Sequence, residues 1–272
     1  NMSKVLINLV SGQPLPNYVA IKTEEPDICV FLYTNNSRNQ LNNLKKVFNK
    51  LNNIEEYLID AWDYNSTYEL AKQIMQKHSG NDIVMDFTCG TKIMSTACFN
   101  AAKELGVKCK HVNTENNEYL EYGKEELRKD ISLHGNLKDY LMLSGQELEV
   151  NEHKLTTGQK QLLEFLESNF NSFSKLIYRF AKNIGKTGTN IFIDRCKEWD
   201  VSINSNMKKT EIKFVKNKVT EFELIEEGND LIQFIKGGWF EHSCYNKLKE
   251  IGYFDDLYIN AKLKVQSLKE QD

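Results

Sequence analysis

Between Asp86 and Ser95 the chain reads Asp86-Phe87-Thr88-Cys89-Gly90-Thr91-Lys92-Ile93-Met94-Ser95. These residue types suit the binding of an anion. Gly90 lets a backbone approach a ligand closely and tolerates positive φ. Thr88 and Thr91 supply hydroxyl donors, and Lys92 adds a full positive charge. A helical pattern opens at Lys92, so free N–H groups and a partial positive charge should stand at its first turn. Ser95 is placed to cap that helix or to donate further in. The same residues also fit an ordinary strand-to-helix turn, with Thr91 as N-cap and Lys92 solvated. The spacing is neither GxxxxGK[ST] nor GxGxxG, so no standard phosphate or dinucleotide fingerprint is present. A second unusual loop, Ser11-Gly12-Gln13-Pro14-Leu15-Pro16-Asn17, offers Ser11, Gly12, Gln13 and Asn17 as partners.

Other chemistry is sparser. The cysteines stand at 29, 89, 98, 109, 196 and 244. None forms a CxxC pair and no Cys/His group has zinc spacing, so no metal site is expected. Cys29 and Cys109 lie in apolar, strand-like runs and read as core. The cysteine pattern fits a reducing, cytoplasmic location. Met2 leads straight into a strand-like run without a signal peptide, and no apolar run approaches the ~20 residues of a membrane span. Lys and Arg number 35 against 38 Asp and Glu, a net charge of −3. No global basic field advertises nucleic-acid binding, so an anion site must be local.

The elements that would position these loops follow from periodicity. Apolar runs at Val5–Val10, Ile28–Tyr33, Ile54–Ile59, Asp82–Phe87 and Val107–Val112 read as strands, and Tyr119–Tyr122 as a further strand beside the fifth. Arg38–Leu51, Ser66–His78 and Lys92–Leu105 carry apolar residues at helical spacing, and Gly106 ends the last of them. Alternating strands and helices predict a mostly parallel sheet covered on both faces. With strand order 3-2-1-4-5, the order reverses between the first and fourth strands. Ligands of open sheets bind there, beyond the carboxyl ends, and the two loops above leave those two strands.

At this point the residues carry a resemblance. Asp86–Ser95 is similar to the D-x-T-G-G-T-K-x-M-S segment of CARF domains, the CRISPR-associated Rossmann folds that sense cyclic oligoadenylates. Cys89 departs from it where glycine is commoner, which bears on the backbone there. Leu9-Val10-Ser11-Gly12-Gln13, with Pro16 and Asn17, resembles the family's first ligand loop. The resemblance covers roughly the first half of the chain. It implies a Rossmann-like domain over residues 1–150 and a cyclic oligoadenylate, with cyclic tetra-adenylate the expected ring. Ser11, Gly12, Gln13, Asn17, Thr88, Cys89, Gly90, Thr91, Lys92 and Ser95 would be its contacts. A ring with rotational symmetry implies a homodimer with the site around a two-fold axis.

Beyond Gly123–Thr156, which reads as a connector with one helix near Leu137–Leu143, the pattern changes. Helices at Gln159–Phe170, Ser174–Asn183 and Asn190–Trp199 precede a hairpin, Thr210–Val215 and Val219–Ile225, the order of a winged helix over 151–228. Lys208, Lys209, Lys213, Lys216 and Lys218 make that hairpin basic, which suits contact with DNA or RNA phosphates. Glu221, Glu223, Glu226 and Glu227 weaken its field. From Asp230 to Gly252 the pattern is helical again, and Asp256–Val265 suits a strand.

Gly237-Gly238-Trp239-Phe240-Glu241-His242 resembles the stretch that opens the restriction-endonuclease-like domain of CARF-containing CRISPR ancillary nucleases. That family implies a Mn²⁺ or Mg²⁺ ion held by carboxylates, with a Lys against developing charge. After Val265 no Asp followed by E-x-K appears, Asp255 and Asp256 precede the expected strand, and Asp272 is the last residue. Residues 229–272 therefore read as an incomplete start of such a domain, Glu241 as a vestige of its active site, and no cofactor is expected in this chain. The fold class expected is α/β: a Rossmann-like CARF domain, a winged-helix-like α+β segment and a partial nuclease fold. The function expected is cyclic-oligoadenylate sensing in type III CRISPR defence. A CARF–winged-helix regulator of transcription and a ring nuclease using Ser11, Thr91 and Lys92 are the alternatives.

Overall fold

The computed structural model describes residues 2–122, 126–131, 135–150, 154–183, 191–196, 198–206, 208–228 and 230–265. Gly123, Asn190 and Asp272, named above, lie outside them. Residues up to Glu149, with those from Lys262, make one compact unit, and Val150–Ala261 make a second.

The first unit runs β1 (Lys4–Leu9), α1 (Leu15–Glu24), β2 (Ile28–Tyr33), α2 (Arg38–Val47), β3 (Ile54–Leu58), α3 (Tyr64–Lys77), β4 (Asp82–Asp86), α4 (Lys92–Glu104), β5 (Lys108–Asn113), β6 (Glu118–Tyr122), β7 (Glu126–Asp130), α5 (Leu137–Leu143) and β8 (Gln146–Val150). Its sheet has the order β3-β2-β1-β4-β5-β6-β7. The first five strands in that order pair in parallel, and β6 and β7 return antiparallel. The result is a mixed, mostly parallel sheet of Rossmann-like form.

Both faces are covered, which is why β1 and β2 are almost continuously apolar. Val5, Ile7, Leu9, Met85 and Cys109 pack beneath Ala71, Ile74 and Met75 of α3 and Met94, Cys98 and Ala101 of α4. Leu6, Phe31, Val84 and Val112 pack against Tyr18 and Ile21 of α1 and Leu41 and Leu44 of α2. α1 was not expected from the sequence, because Pro14 and Pro16 read as loop. Pro is tolerated in a first helical turn, where the N–H has no intrahelical partner, and here it stands at the start of α1.

The second unit holds α6 (Thr157–Ser168), α7 (Phe170–Asn183), β9 (Ile191–Cys196), β10 (Trp199–Ser205), β11 (Lys209–Lys216), β12 (Val219–Glu227), α8 (Asp230–Gln233) and α9 (Trp239–Ile251). The strands form an antiparallel sheet of order β12-β11-β10-β9. The helix expected at Asn190–Trp199 is replaced by β9 and the start of β10. Period two decides it: Trp199, Val201, Ile203 and Ser205 of β10 are buried in alternation, and Phe192 of β9 lies in register with Ile203. The segment is thus α+β, with two helices and four strands where three helices and a hairpin were expected. Leu231, Phe234 and Trp239 join the same core as Leu162, Phe173 and Phe214. Of the strand expected at Asp256–Val265, only Ala261–Val265 forms (β13), and it pairs with β8.

Candidate functional site

The strand order reverses between β1 and β4, and the loops leaving their carboxyl ends are those at Ser11–Asn17 and Phe87–Thr91. Position in the fold therefore agrees with residue chemistry.

The β4–α4 loop is held from below. Thr88 donates its backbone N–H to Asp86 Oδ1 at 2.8 Å, and its hydroxyl donates to the same oxygen. The Thr88 hydroxyl also accepts from Val112 N at 2.7 Å. Asp86 is buried, and its Oδ2 has no partner among the described residues. Burial pushes its carboxyl up to about 7, against the hydrogen bonds from Thr88, which favour the charged form. Cys89 is buried as well. Its thiol donates to Gln13 O at 3.7 Å, joining one loop to the other, and burial pushes it up to about 12. Cys89 does not take the left-handed backbone, so a side chain is accommodated where the family more often has glycine.

Gly90 is the position that needs glycine. Its φ is +89°, and a Cβ there would lie 3.2 Å from Met94 Cε and 3.4 Å from Leu9 Cδ1. Thr91 is the N-cap of α4: its hydroxyl accepts from Met94 N at 3.2 Å and donates to Ala61 O at 2.7 Å. Lys92 is exposed beside the first turn and pairs with no carboxylate among the described residues. Ser95 turns inward, donating to Thr91 O at 3.1 Å and Lys92 O at 3.2 Å.

In the first loop, Ser11 Oγ accepts from Gln13 N at 3.3 Å, and Gly12 and Gln13 are exposed. Space is open around Gly12. Asn17 is buried, its amide donating to Leu9 O at 2.8 Å to brace α1 against β1. Of the ten expected contacts, Gly12, Gln13, Gly90 and Lys92 are exposed at the carboxyl edge, with Ser11 and Thr91 half-buried beside them. Asn17, Thr88, Cys89 and Ser95 hold the loops in shape.

Sequence reasoning missed the polar row beneath this edge. Asn8, Asp86 and Lys110 lie in register across β1, β4 and β5. Lys110 is buried, pairs with Glu24 of α1, and lies 3.4 Å from Glu121. Burial acts to raise the Glu24 carboxyl, but hydrogen bonds from Lys110 and Lys4 outweigh it and hold it below its usual value. The available signal was polar residues inside apolar runs, Asn8 above all.

The second unit gathers less. Lys209, Lys213 and Lys216 of the hairpin pair with Glu211, Glu223 and Glu198 at 3.7, 3.7 and 3.1 Å, which cancels much of the field a phosphate would feel. Glu241 is exposed on α9 and lines a cavity of about 350 Å³ with Gln159, Asp230 and His242. Among the described residues no group of three His, Cys, Asp or Glu side chains comes together. No described helix is long and apolar enough to cross a membrane.

The fold has solved counterparts. It is similar to Can2 from Sulfobacillus thermosulfidooxidans, solved in complex with cyclic tetra-adenylate, with 18% identity over 97% of this chain and 73% of that one and a TM-score of 0.68. VC1899 from Vibrio cholerae matches at 14% identity over 98% and 74%, with a TM-score of 0.70. A type III CRISPR defence DNA nuclease activated by cyclic oligoadenylate matches at 19% identity over 67% of this chain and 30% of that one, with a TM-score of 0.50. At such identities the likeness is one of fold. No curated protein matches the sequence. Residues 5–140, half of the chain, match the family model described as the Card1 CARF domain, and the chain belongs to that CARF family.

Proposed function

We propose that this chain is a cyclic-oligoadenylate sensor of type III CRISPR defence, with cyclic tetra-adenylate as its ligand. One observation carries the proposal: exposed Lys92, on the first turn of a helix capped by Thr91, stands at the carboxyl edge of the sheet where the open Gly12–Gln13 loop also emerges. A helix N-terminus with an adjacent cation favours phosphate, and the net charge of −3 leaves that attraction local. Can2, of similar fold, holds cyclic tetra-adenylate.

A cyclic ligand with two-fold symmetry matches two copies of one site, so the binding form is a homodimer holding one ring. Contacts fall to Gly12, Gln13, Gly90 and Lys92, with Ser11 and Thr91 at the margin. Asn17, Thr88, Cys89 and Ser95 shape the loops. The Thr91 hydroxyl already donates to Ala61 O and accepts from Met94 N, which does not favour its use in ring cleavage. The paired lysines of the hairpin do not favour a DNA-binding regulator.

Titration calorimetry with cyclic tri-, tetra- and hexa-adenylate tests the proposal. We expect tetra-adenylate to bind tightest, at one ring per two chains. Binding of no ring, or one ring per monomeric chain, would overturn it.

A further inference from the structure

We propose that Trp62 is a stacking platform for a base of the ligand. The inference rests on the site proposed above and adds where a base, as distinct from a phosphate, is held.

Trp62 follows β3 in the segment Asp60-Ala61-Trp62-Asp63, so it too leaves the sheet at the carboxyl edge. Its side chain is 75% exposed, whereas Trp199 and Trp239 are 3% and 4% exposed. An indole is large and mainly apolar and is ordinarily well covered. No described ring or cation faces Trp62.

The backbone that carries the ring is fixed on both sides. Ala61 O accepts the Thr91 hydroxyl at 2.7 Å, so the residue before Trp62 is tied to the N-cap of α4. Trp62 N donates to Asp60 Oδ1 at 2.8 Å, and Asp63 Oδ1 accepts from Ser66 N at 3.0 Å to cap α3. A ring on a pinned backbone loses less freedom on binding than one on a loose loop.

Charge separates the two halves of the ligand. Asp60 and Asp63 are exposed on either side of Trp62, and carboxylates repel phosphate. Lys92, next in the chain to Thr91 as Trp62 is to Ala61, attracts it. Phosphate therefore belongs at Lys92 and a base at Trp62, where the acidic flank can also accept from an exocyclic amine. Stacking on aromatic side chains is a general means of holding unpaired bases.

Because the other two tryptophans are buried, acrylamide quenching of the intact chain reads chiefly Trp62. Saturating cyclic tetra-adenylate should protect that fluorescence. Trp62→Ala should weaken binding about 10- to 100-fold, with thermal stability unchanged because the side chain is exposed, and Trp62→Phe should keep most of the affinity. If Trp62→Ala binds as wild type, or quenching is unaffected by bound ligand, the platform is disproved while the sensor assignment stands. If the wild type binds no ring at all, both fail.

Discussion

Thr88 turns both its backbone N–H and its hydroxyl onto one oxygen of Asp86, a carboxyl buried beneath the β4–α4 loop. The other oxygen has no partner among the described residues. Burial therefore outweighs the two hydrogen bonds, and the carboxyl rises to about 7.

That rise predicts a pH dependence with a definite sign. Unfolded, the group titrates near its ordinary value of about 3.9. Between there and about 7 the folded state binds more protons than the unfolded one. Stability from this group therefore falls as pH rises through that window and is level above it. Asp86→Asn keeps an acceptor for Thr88 N and removes the titration. Chemical denaturation of both proteins from pH 4 to 8 should show the variant gaining on wild type as pH rises. Glu24 and Asp82, held below their usual values, act in the opposite direction in both proteins. A flat difference curve would refute the assignment.

Gly90→Ala should destabilise the fold. A left-handed φ costs an L-residue ~1–2 kcal/mol, and the added methyl would press on Met94 and Leu9, closest at 3.2 Å. We expect a loss of at least ~1–2 kcal/mol in urea denaturation. A change within ~0.5 kcal/mol, the usual range for a neutral surface change, would mean that the loop can relax.

Thr91→Val removes both the cap of α4 and the bond to Ala61, while Thr91→Ser keeps both. Loss of an N-cap costs ~0.5–2 kcal/mol, so the Val variant should melt below the Ser variant. Equal melting temperatures would show that the hydroxyl contributes nothing.

Lys92→Ala removes one charge-assisted contact per subunit, each ~1.5–3 kcal/mol. Two copies on one ring should weaken cyclic tetra-adenylate binding at least ~100-fold. Thermal stability should hold, since Lys92 is exposed. Undiminished affinity in calorimetry would place the phosphate site elsewhere.

Much of the first unit was legible because its signals are local. Continuous apolar runs at Val5–Val10 and Ile28–Tyr33 show strands buried on two faces, and Gly106 ends α4 where a helix must stop. The second unit was harder. Asn190–Trp199 reads as a helix in order of elements, yet β9 and β10 are fixed by pairing with each other and by the alternation that runs on through Ser205. Pairing depends on partners remote in sequence, so a local window does not reveal it.

The sequence by itself determined the loop chemistry at Asp86–Ser95 and the two strands that present it, because glycine, hydroxyl and charge at fixed spacing act within one turn of chain. Only the tertiary structure decided which of those residues face outward. Asn17 and Ser95 turn in because carbonyls at Leu9, Thr91 and Lys92 lie within reach. Asp86 is driven toward its neutral form because strand register buries it between Asn8 and Lys110. Trp62 stands next to the β4–α4 loop because Ala61 meets Thr91 across 30 residues of chain. The Ser95 bonds lie within one turn of α4, whereas the Thr91–Ala61 bond and the Asn8–Asp86–Lys110 register join segments remote in sequence, which only the packed sheet brings together.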